Sequence, residues 1–296
     1  MKTKAVFKSF LPFIVFFAIQ LVVAAAVSAA LSVMFTVAHP ELVADPIALA
    51  EGATEFYLSK ITYVLVVIHA LNVLIMALWI RKYNRLVPDA PAKSVLTVKN
   101  VVMIVLAGLG IQGFVIAILT GVTIVAPGAL DNYSDLMQTA GIGQLTVASF
   151  LATVILAPIG EELCFRGVTS KILRHGQLPL WVVLVLPSIL FGVMHMNPVQ
   201  STYAAFMGLA LAYVAYKYKS LWMSILLHLV INLSATVING FGFEFESDVV
   251  GMLVYGGCGI VLLLVAYFCF DKKNEEVVLA VEEAETVETV EETVEA

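Results

Sequence analysis

The chain alternates long apolar runs with short polar breaks. About 20 apolar residues in helical form cross the ~30 Å hydrocarbon layer of a bilayer. Eight windows approach that length, at residues 10–38, 61–80, 101–126, 145–166, 180–197, 202–216, 221–240 and 249–270, the fifth and sixth being the shortest. The pattern predicts an all-α polytopic transmembrane helix bundle of about eight spans. The first run far exceeds the ~7–15 residues of a signal-peptide core and ends on no clean small-residue cleavage site, so it reads as a retained span.

Composition agrees: 61% apolar against 13% charged residues, over 296 positions, is more hydrophobic surface than one soluble globule can hide. Charge placement orients the spans, because cytoplasmic loops retain Lys and Arg. Lys2, Lys4 and Lys8 precede the first span; Arg81, Lys82, Arg85, Lys93 and Lys99 follow the second; Arg166, Lys171 and Arg174 follow the fourth. Lys217 and Lys219 follow the sixth and Lys272 and Lys273 the eighth, leaving Lys60 alone on the opposite side. The expectation is a multi-pass cell-membrane protein with both termini cytoplasmic. Residues 1–270 form the membrane domain, with a motif core at 145–240, and residues 271–296 form an acidic low-complexity cytoplasmic tail. That tail carries ten acidic residues against two lysines and reads as a solvated, disordered end. The acidic residues of the opposite loops, among them Glu41, Asp45, Asp131, Glu244, Glu246 and Asp248, read as a solvated outer face.

Several function classes drop out. Cys164, Cys258 and Cys269 have no CxxC spacing and an odd total, so they read as small buried apolar residues rather than a disulfide framework or zinc knuckle. No dinucleotide glycine fingerprint, P-loop or H-E-x-x-H occurs. With no soluble domain of useful size, nucleic acid is not an expected partner; membrane lipid is.

Polar groups inside apolar helices are costly and mark function by default. Three constellations qualify. GEELCFRG (160–167) follows the apolar run LTVASFLATVILAPI and holds Glu161, Glu162 and Arg166. Glu162 and Arg166 stand at i and i+4 with the acid first, the better orientation for an ion pair. Glu161, about 100° round the helix, is left for other work. FGVMH (191–195) places His195 one turn beyond Phe191, and HLVIN (228–232) stacks His228 and Asn232 on one face. One carboxylate, two imidazoles and one carboxamide from three helices suit addition of water to a carbonyl. The carboxylate takes a proton from water, an imidazole holds that water in line, and an amide and an imidazole N–H face the developing oxyanion. Glu161, His195 and His228 also compose a possible divalent-metal (zinc) set with an open position. Against that, the histidines come from different helices and Asn is a poor zinc ligand. Metal participation is left open.

In that order, on successive spans, E-E-x-x-x-R, F-x-x-x-H and H-x-x-x-N resemble the CPBP family of intramembrane proteases. The family includes the CAAX prenyl endopeptidases and the bacterial Abi proteins linked to bacteriocin processing or self-immunity. The resemblance covers roughly residues 145–240. It implies a protease-like membrane domain in which Glu161 and His195 activate water, His228 and Asn232 stabilise the oxyanion, and Glu162 and Arg166 form a structural pair. The implied substrate is a hydrophobic or lipidated peptide or protein. The competing classes are a non-catalytic self-immunity or peptide-binding membrane protein and a proton-relaying transporter; no second copy of GEELCFRG supports the latter.

Counting ~1.5 Å per residue from the cytoplasmic ends puts Glu161 about 8 Å deep, His228 about 10 Å and His195 more than roughly 20 Å. Straight spans would therefore separate them, unless Pro158 breaks the fourth span, Pro187 bends the fifth, or residues 166–179 re-enter the membrane. The shallow depth of Glu161 implies substrate entry from the cytoplasm or the inner leaflet. His69, Asn72 and Gln112 read as helix contacts, and His39 and His175 as solvated.

Overall fold

The computed structural model describes residues 2–139, 146–241 and 247–268. The acidic tail, Cys269, Glu244 and Glu246 lie outside the described residues. Ten principal helices are labelled in chain order: α1 Lys2–Ala38, α2 Pro46–Ser59, α3 Ile61–Leu86, α4 Val98–Val125 and α5 Asp131–Thr139. They continue as α6 Val147–His175, α7 Leu180–Met194, α8 Pro198–Lys217, α9 Leu221–Phe241 and α10 Asp248–Phe268. The described residues contain no strand. Six of these helices, α1, α3, α4, α6, α9 and α10, are long and apolar enough to cross a membrane. The two remaining windows correspond to α7, an apolar helix of 15 residues, and α8, of 20.

Helix starts follow local chemistry. Asp45, Thr97, Thr146 and Asn197 each use a side-chain oxygen to accept a backbone N–H in the first turn of α2, α4, α6 and α8, satisfying donors that have no partner inside the helix. Pro46 and Pro198 follow their caps, where a missing N–H costs nothing. The α2 stretch, expected as a solvated loop, is helical and lies against the end of α1, with the Phe35 and Phe56 rings 5.9 Å apart. His39, at the end of α1, is half-buried and donates from Nδ1 to the Phe35 carbonyl at 3.0 Å rather than standing free in solvent.

The bundle is built around α6, which packs against α1, α3, α7, α8 and α9, while α4 joins α9 to the outer helix α10. Half of the apolar window of α6 is buried against 11% for α1 and for α10, so the latter two present most of their surface to lipid. The basic segment after the fourth window is neither a loop nor a re-entrant hairpin. It continues α6 to His175, with Arg174 and His175 half-buried and Lys171 buried with partners: Lys171, 2% exposed, donates to the Val87 carbonyl at 2.7 Å and pairs with Asp89 at 2.9 Å. The Ala90 N–H donates to the Lys219 carbonyl at 2.7 Å. These contacts gather the loop after α3, the end of α6 and the α8–α9 turn at one end of the bundle.

With α6 drawn to its full 29 residues, Glu161 stands at its midpoint, about 20 Å from either end, which corrects the shallow placement counted from residue 166. Helix α9 likewise begins among buried residues, Lys219, Ser220 and Leu221, so His228 is deeper than its distance from the helix start suggests. The depth mismatch with His195 disappears because α6 and α9 are set deeper than the charge pattern indicates. Neither Pro158 nor Pro187 interrupts its helix.

Asp89→Ala leaves the buried Lys171 ammonium without its counter-charge and is expected to lower unfolding free energy in detergent by on the order of 3 kcal/mol. Lys171→Met, which removes the charge itself, is expected to cost less. Thermal melts of the two variants side by side check the order; a larger loss for Lys171→Met would show that the ion pair is not what closes this end.

Candidate active site

Helix α6 is irregular on both sides of the glutamates. Residues Phe150–Leu156 and Leu163–Thr169 are wound as π-helix around the α-helical Ala157–Glu162. In the first of these the Ala157 N–H reaches back five residues to the Ala152 carbonyl. The next residue is Pro158, which has no N–H to give, so the Thr153 carbonyl is open. Asn232 of α9 fills that place: its Nδ2 donates to the Thr153 carbonyl at 2.9 Å. Re-pairing of backbone freed by proline is required where no water is available.

One turn on, the adjacent carboxylates diverge. Glu162 is wholly buried, and its Oε1 accepts from Arg166 Nη1 at 2.7 Å and from His228 Nδ1 at 3.0 Å. The other arm of Arg166 donates from Nη2 to the Gly208 carbonyl of α8 at 2.8 Å. A Cβ at Gly208 would lie 3.2 Å from that Nη2 and 3.0 Å from Ser188, so a glycine there permits the approach of the guanidinium. Glu161 points to the other side of His228, its Oε2 3.6 Å from Nε2. Because a carboxylate only accepts, the bond to Glu162 places a proton on His228 Nδ1 and leaves Nε2 facing Glu161.

His195 closes α7. Its Nδ1 donates to the Phe191 carbonyl at 2.8 Å, and the following Met196 turns the chain with a left-handed φ of 54°. Gly192, whose Cβ would come within 2.6 Å of the Ser201 carbonyl oxygen, lets α8 pack directly against this end. Phe191 is the spacer between the two imidazoles, edge-on to His195 at 5.0 Å and to His228 at 5.6 Å, with Arg166 4.9 Å above its ring.

Glu161, His195, His228 and Asn232 all line one cavity of about 600 Å³. The structure joins Glu161 to His228 directly and sets His195 and Asn232 in the wall; no hydrogen bond or ion pair connects His195 with Glu161. Sequence reasoning missed four participants, Thr153, Phe191 as spacer, Gly208, and His69 of α3. His69 and Gln112 of α4 line the same cavity instead of serving only as helix contacts, and His69 Nδ1 is buried without a hydrogen-bond partner. A histidine within an apolar span was the signal available.

Nδ1 of each histidine is engaged, His228 to Glu162 and His195 to Phe191, which leaves Nε2 as the nitrogen each could offer to a ligand. Among the described residues no group of three His, Cys, Asp or Glu donors is placed to hold an ion. The arrangement can instead exchange a proton between Glu161 and a small molecule in the cavity, beside Nε2 of His228 and the amide of Asn232.

Residues 143–234 match the family model described as type II CAAX prenyl endopeptidase, Rce1-like. Comparison with curated proteins and comparison with solved structures each return no match.

Pro158→Ala restores an N–H able to compete for the Thr153 carbonyl. The Asn232→Leu penalty in detergent melts is therefore expected to shrink by about 1 kcal/mol in the Pro158→Ala background. Strict additivity of the two substitutions would mean that proline does not create the anchor for Asn232.

Proposed function

From the premise that residues 143–234 belong to the Rce1-like type II CAAX prenyl endopeptidase family, we propose that the chain is an intramembrane endopeptidase that hydrolyses peptide bonds of hydrophobic or membrane-associated substrates. The observation that carries this reading is the Glu161–His228 contact at the inner end of a cavity whose walls hold His195 and Asn232.

The scissile carbonyl sits against Asn232 and His228, and a water lies between Glu161 and His195. Glu161 takes one proton as the water oxygen bonds to the carbonyl carbon. The oxyanion receives the free N–H of the Asn232 amide and lies beside the His228 ring, whose Nδ1–H stays on Glu162. Glu161 then returns its proton to the departing amine as the C–N bond breaks. Arg166 touches no reacting atom; by holding Glu162 it holds His228. Bulk water is largely excluded from these groups, Glu161 being 7% and His228 2% exposed, which strengthens each interaction.

The concentration of Lys and Arg at the end gathered by Lys171, Asp89 and Lys219 supports a cytoplasmic side for that end and, with it, cytoplasmic termini.

Glu161→Gln is expected to abolish cleavage with little change in the detergent melting temperature. Glu162→Gln, which weakens the bonds from both Arg166 and His228, is expected to cost several kcal/mol of stability and reduce the folded yield. Comparative peptidomics of membranes carrying wild-type or Glu161→Gln protein, with melts of both variants, reads the two effects. A fully active Glu161→Gln form would sink the protease reading, because a peptide-binding protein should tolerate the carboxamide.

A further inference from the structure

Helices α3 and α6 run side by side in a fixed register. A Cβ on Gly160 would lie 3.4 Å from the Val73 side chain, and one on Gly167 would lie 2.6 Å from that of Ile80. From the first of these pairs to the second, both helices advance by the same seven residues. His69, one turn before Val73, is therefore level with Leu156 and Ala157, about one helical turn or ~6 Å before Glu161. Helices α4 and α9, which both leave the Lys/Arg-rich end, are in step likewise. A Cβ on Gly108 would meet Val230 at 2.6 Å and Leu227 at 3.4 Å, which puts Gln112, one turn on, level with Asn232. The cavity thus carries polar groups in two tiers: Glu161 and His228, then His69, Gln112 and Asn232 one turn further from the Lys/Arg-rich end.

His69 differs from the other imidazoles of this cavity in the nitrogen it offers. His195 and His228 each commit Nδ1 as a donor, to the Phe191 carbonyl and to Glu162, so in the neutral rings Nε2 carries the lone pair. In His69 it is Nδ1 that is buried and has no hydrogen-bond partner among the described residues, while the ring as a whole is half-buried and lines the cavity. An orphaned buried N–H is costlier and rarer than an orphaned acceptor. The proton of the neutral His69 ring accordingly belongs on Nε2. His69 presents a donor where its two counterparts present acceptors.

A peptide that leaves water for this cavity gives up hydrogen bonds at its main-chain carbonyls, and each one not replaced weakens binding. An extended chain advances about 3.3 Å per residue, so a donor ~6 Å from Glu161 meets the second residue from the scissile bond. We propose that His69 is a substrate-binding residue: its Nε2–H donates to a main-chain carbonyl about two residues from the scissile one, and so fixes which bond lies over Glu161. This role rests on the endopeptidase reading. His69 moves no proton in it; what its loss removes is affinity and register.

The test compares full-length wild type, His69→Leu and His69→Gln. Nuclear magnetic resonance of protein with isotope-labelled histidine nitrogens, in lipid bilayers, identifies the His69 signals by their loss in His69→Leu. They are expected to show a proton on Nε2 and none on Nδ1; a proton on Nδ1 overturns the proposal. His69→Leu is expected to melt at or above the wild-type temperature in detergent, because it removes an unpaired polar atom. A lower melting temperature or a lost folded yield shows that the imidazole serves the fold, and overturns the proposal as well. Kinetics use a fluorogenic copy of a peptide that wild-type membranes release and Glu161→Gln membranes do not. His69→Leu is expected to raise KM about tenfold with kcat within about twofold, the effect of one lost hydrogen bond in binding. His69→Gln, whose Nε2 supplies a donor at similar reach, is expected to restore KM. An unchanged KM in His69→Leu, or no rescue by glutamine, overturns the role of His69 and leaves the endopeptidase reading standing. Release of no such peptide by wild-type membranes removes the endopeptidase reading, and this role with it.

Discussion

A single buried carboxylate oxygen, Glu162 Oε1, ties the site together. It receives a guanidinium N–H from its own helix and an imidazole N–H from α9, while the same guanidinium reaches a backbone carbonyl of α8 and covers the Phe191 ring of α7. Four helices are therefore indexed to one atom. Burying an ion pair rarely stabilises a fold beyond what apolar residues would, because both charges forfeit hydration. Its value here is registry. With Nδ1 of His228 committed to Glu162, the ring cannot turn to present Nδ1 to the cavity, so Nε2 faces Glu161. Loosening Glu162 would free the orientation of His228 before it disturbed anything else in the site.

Two adjacent glutamates can hold opposite roles because successive helical residues point about 100° apart. One carboxylate enters the packed interior, where Arg166 and His228 meet it, and its neighbour turns toward the cavity. The π-wound stretches that bracket Ala157–Glu162 leave backbone groups out of the ordinary ladder, as such segments often do near functional sites. In the second stretch the Ser170 hydroxyl returns to the Phe165 carbonyl at 2.9 Å, and in the first Asn232 takes the Thr153 carbonyl. The chain thus stays hydrogen-bonded while departing from the α-helical repeat.

The all-helical class, the eight apolar windows and the residues of the three motifs were legible because each depends on composition or on i, i+4 spacing. The Glu162–Arg166 pair belongs to the same category, since both partners lie on one turn. What was illegible depends on distant partners. Lys171 and Arg166 looked like the start of a cytoplasmic loop; Asp89, the Val87 carbonyl and the Gly208 carbonyl help to make their burial tolerable, and nothing in the local sequence announces these partners. Ending the helix at residue 166 then misplaced Glu161 by more than half the depth of a monolayer. His69 was misread for the opposite reason. A lone imidazole in a span is usually packing, and its exposure to the cavity appears only when α3 and α4 are set opposite α9.

These elements together explain how an apolar bundle keeps a polar centre. Every cation near the site at the basic end is engaged: Arg166 by Glu162 and Gly208, Lys171 by Asp89 and Val87, and Lys219, over the Tyr216 ring at 4.6 Å, sits in the turn that bonds Ala90. Such pairs draw the helices together and leave only a space of about 30 Å³ beside them. On the other side of Glu161 the polar groups among the described lining residues are neutral, spaced along aliphatic walls and incompletely paired, so that side remains hollow. Charge that is matched closes a helix bundle, whereas neutral polarity left partly unmatched keeps space for a molecule that can match it. The boundary between these regimes falls at the peptide bond between Glu161 and Glu162, which is why two like residues, side by side, belong to different halves of the protein.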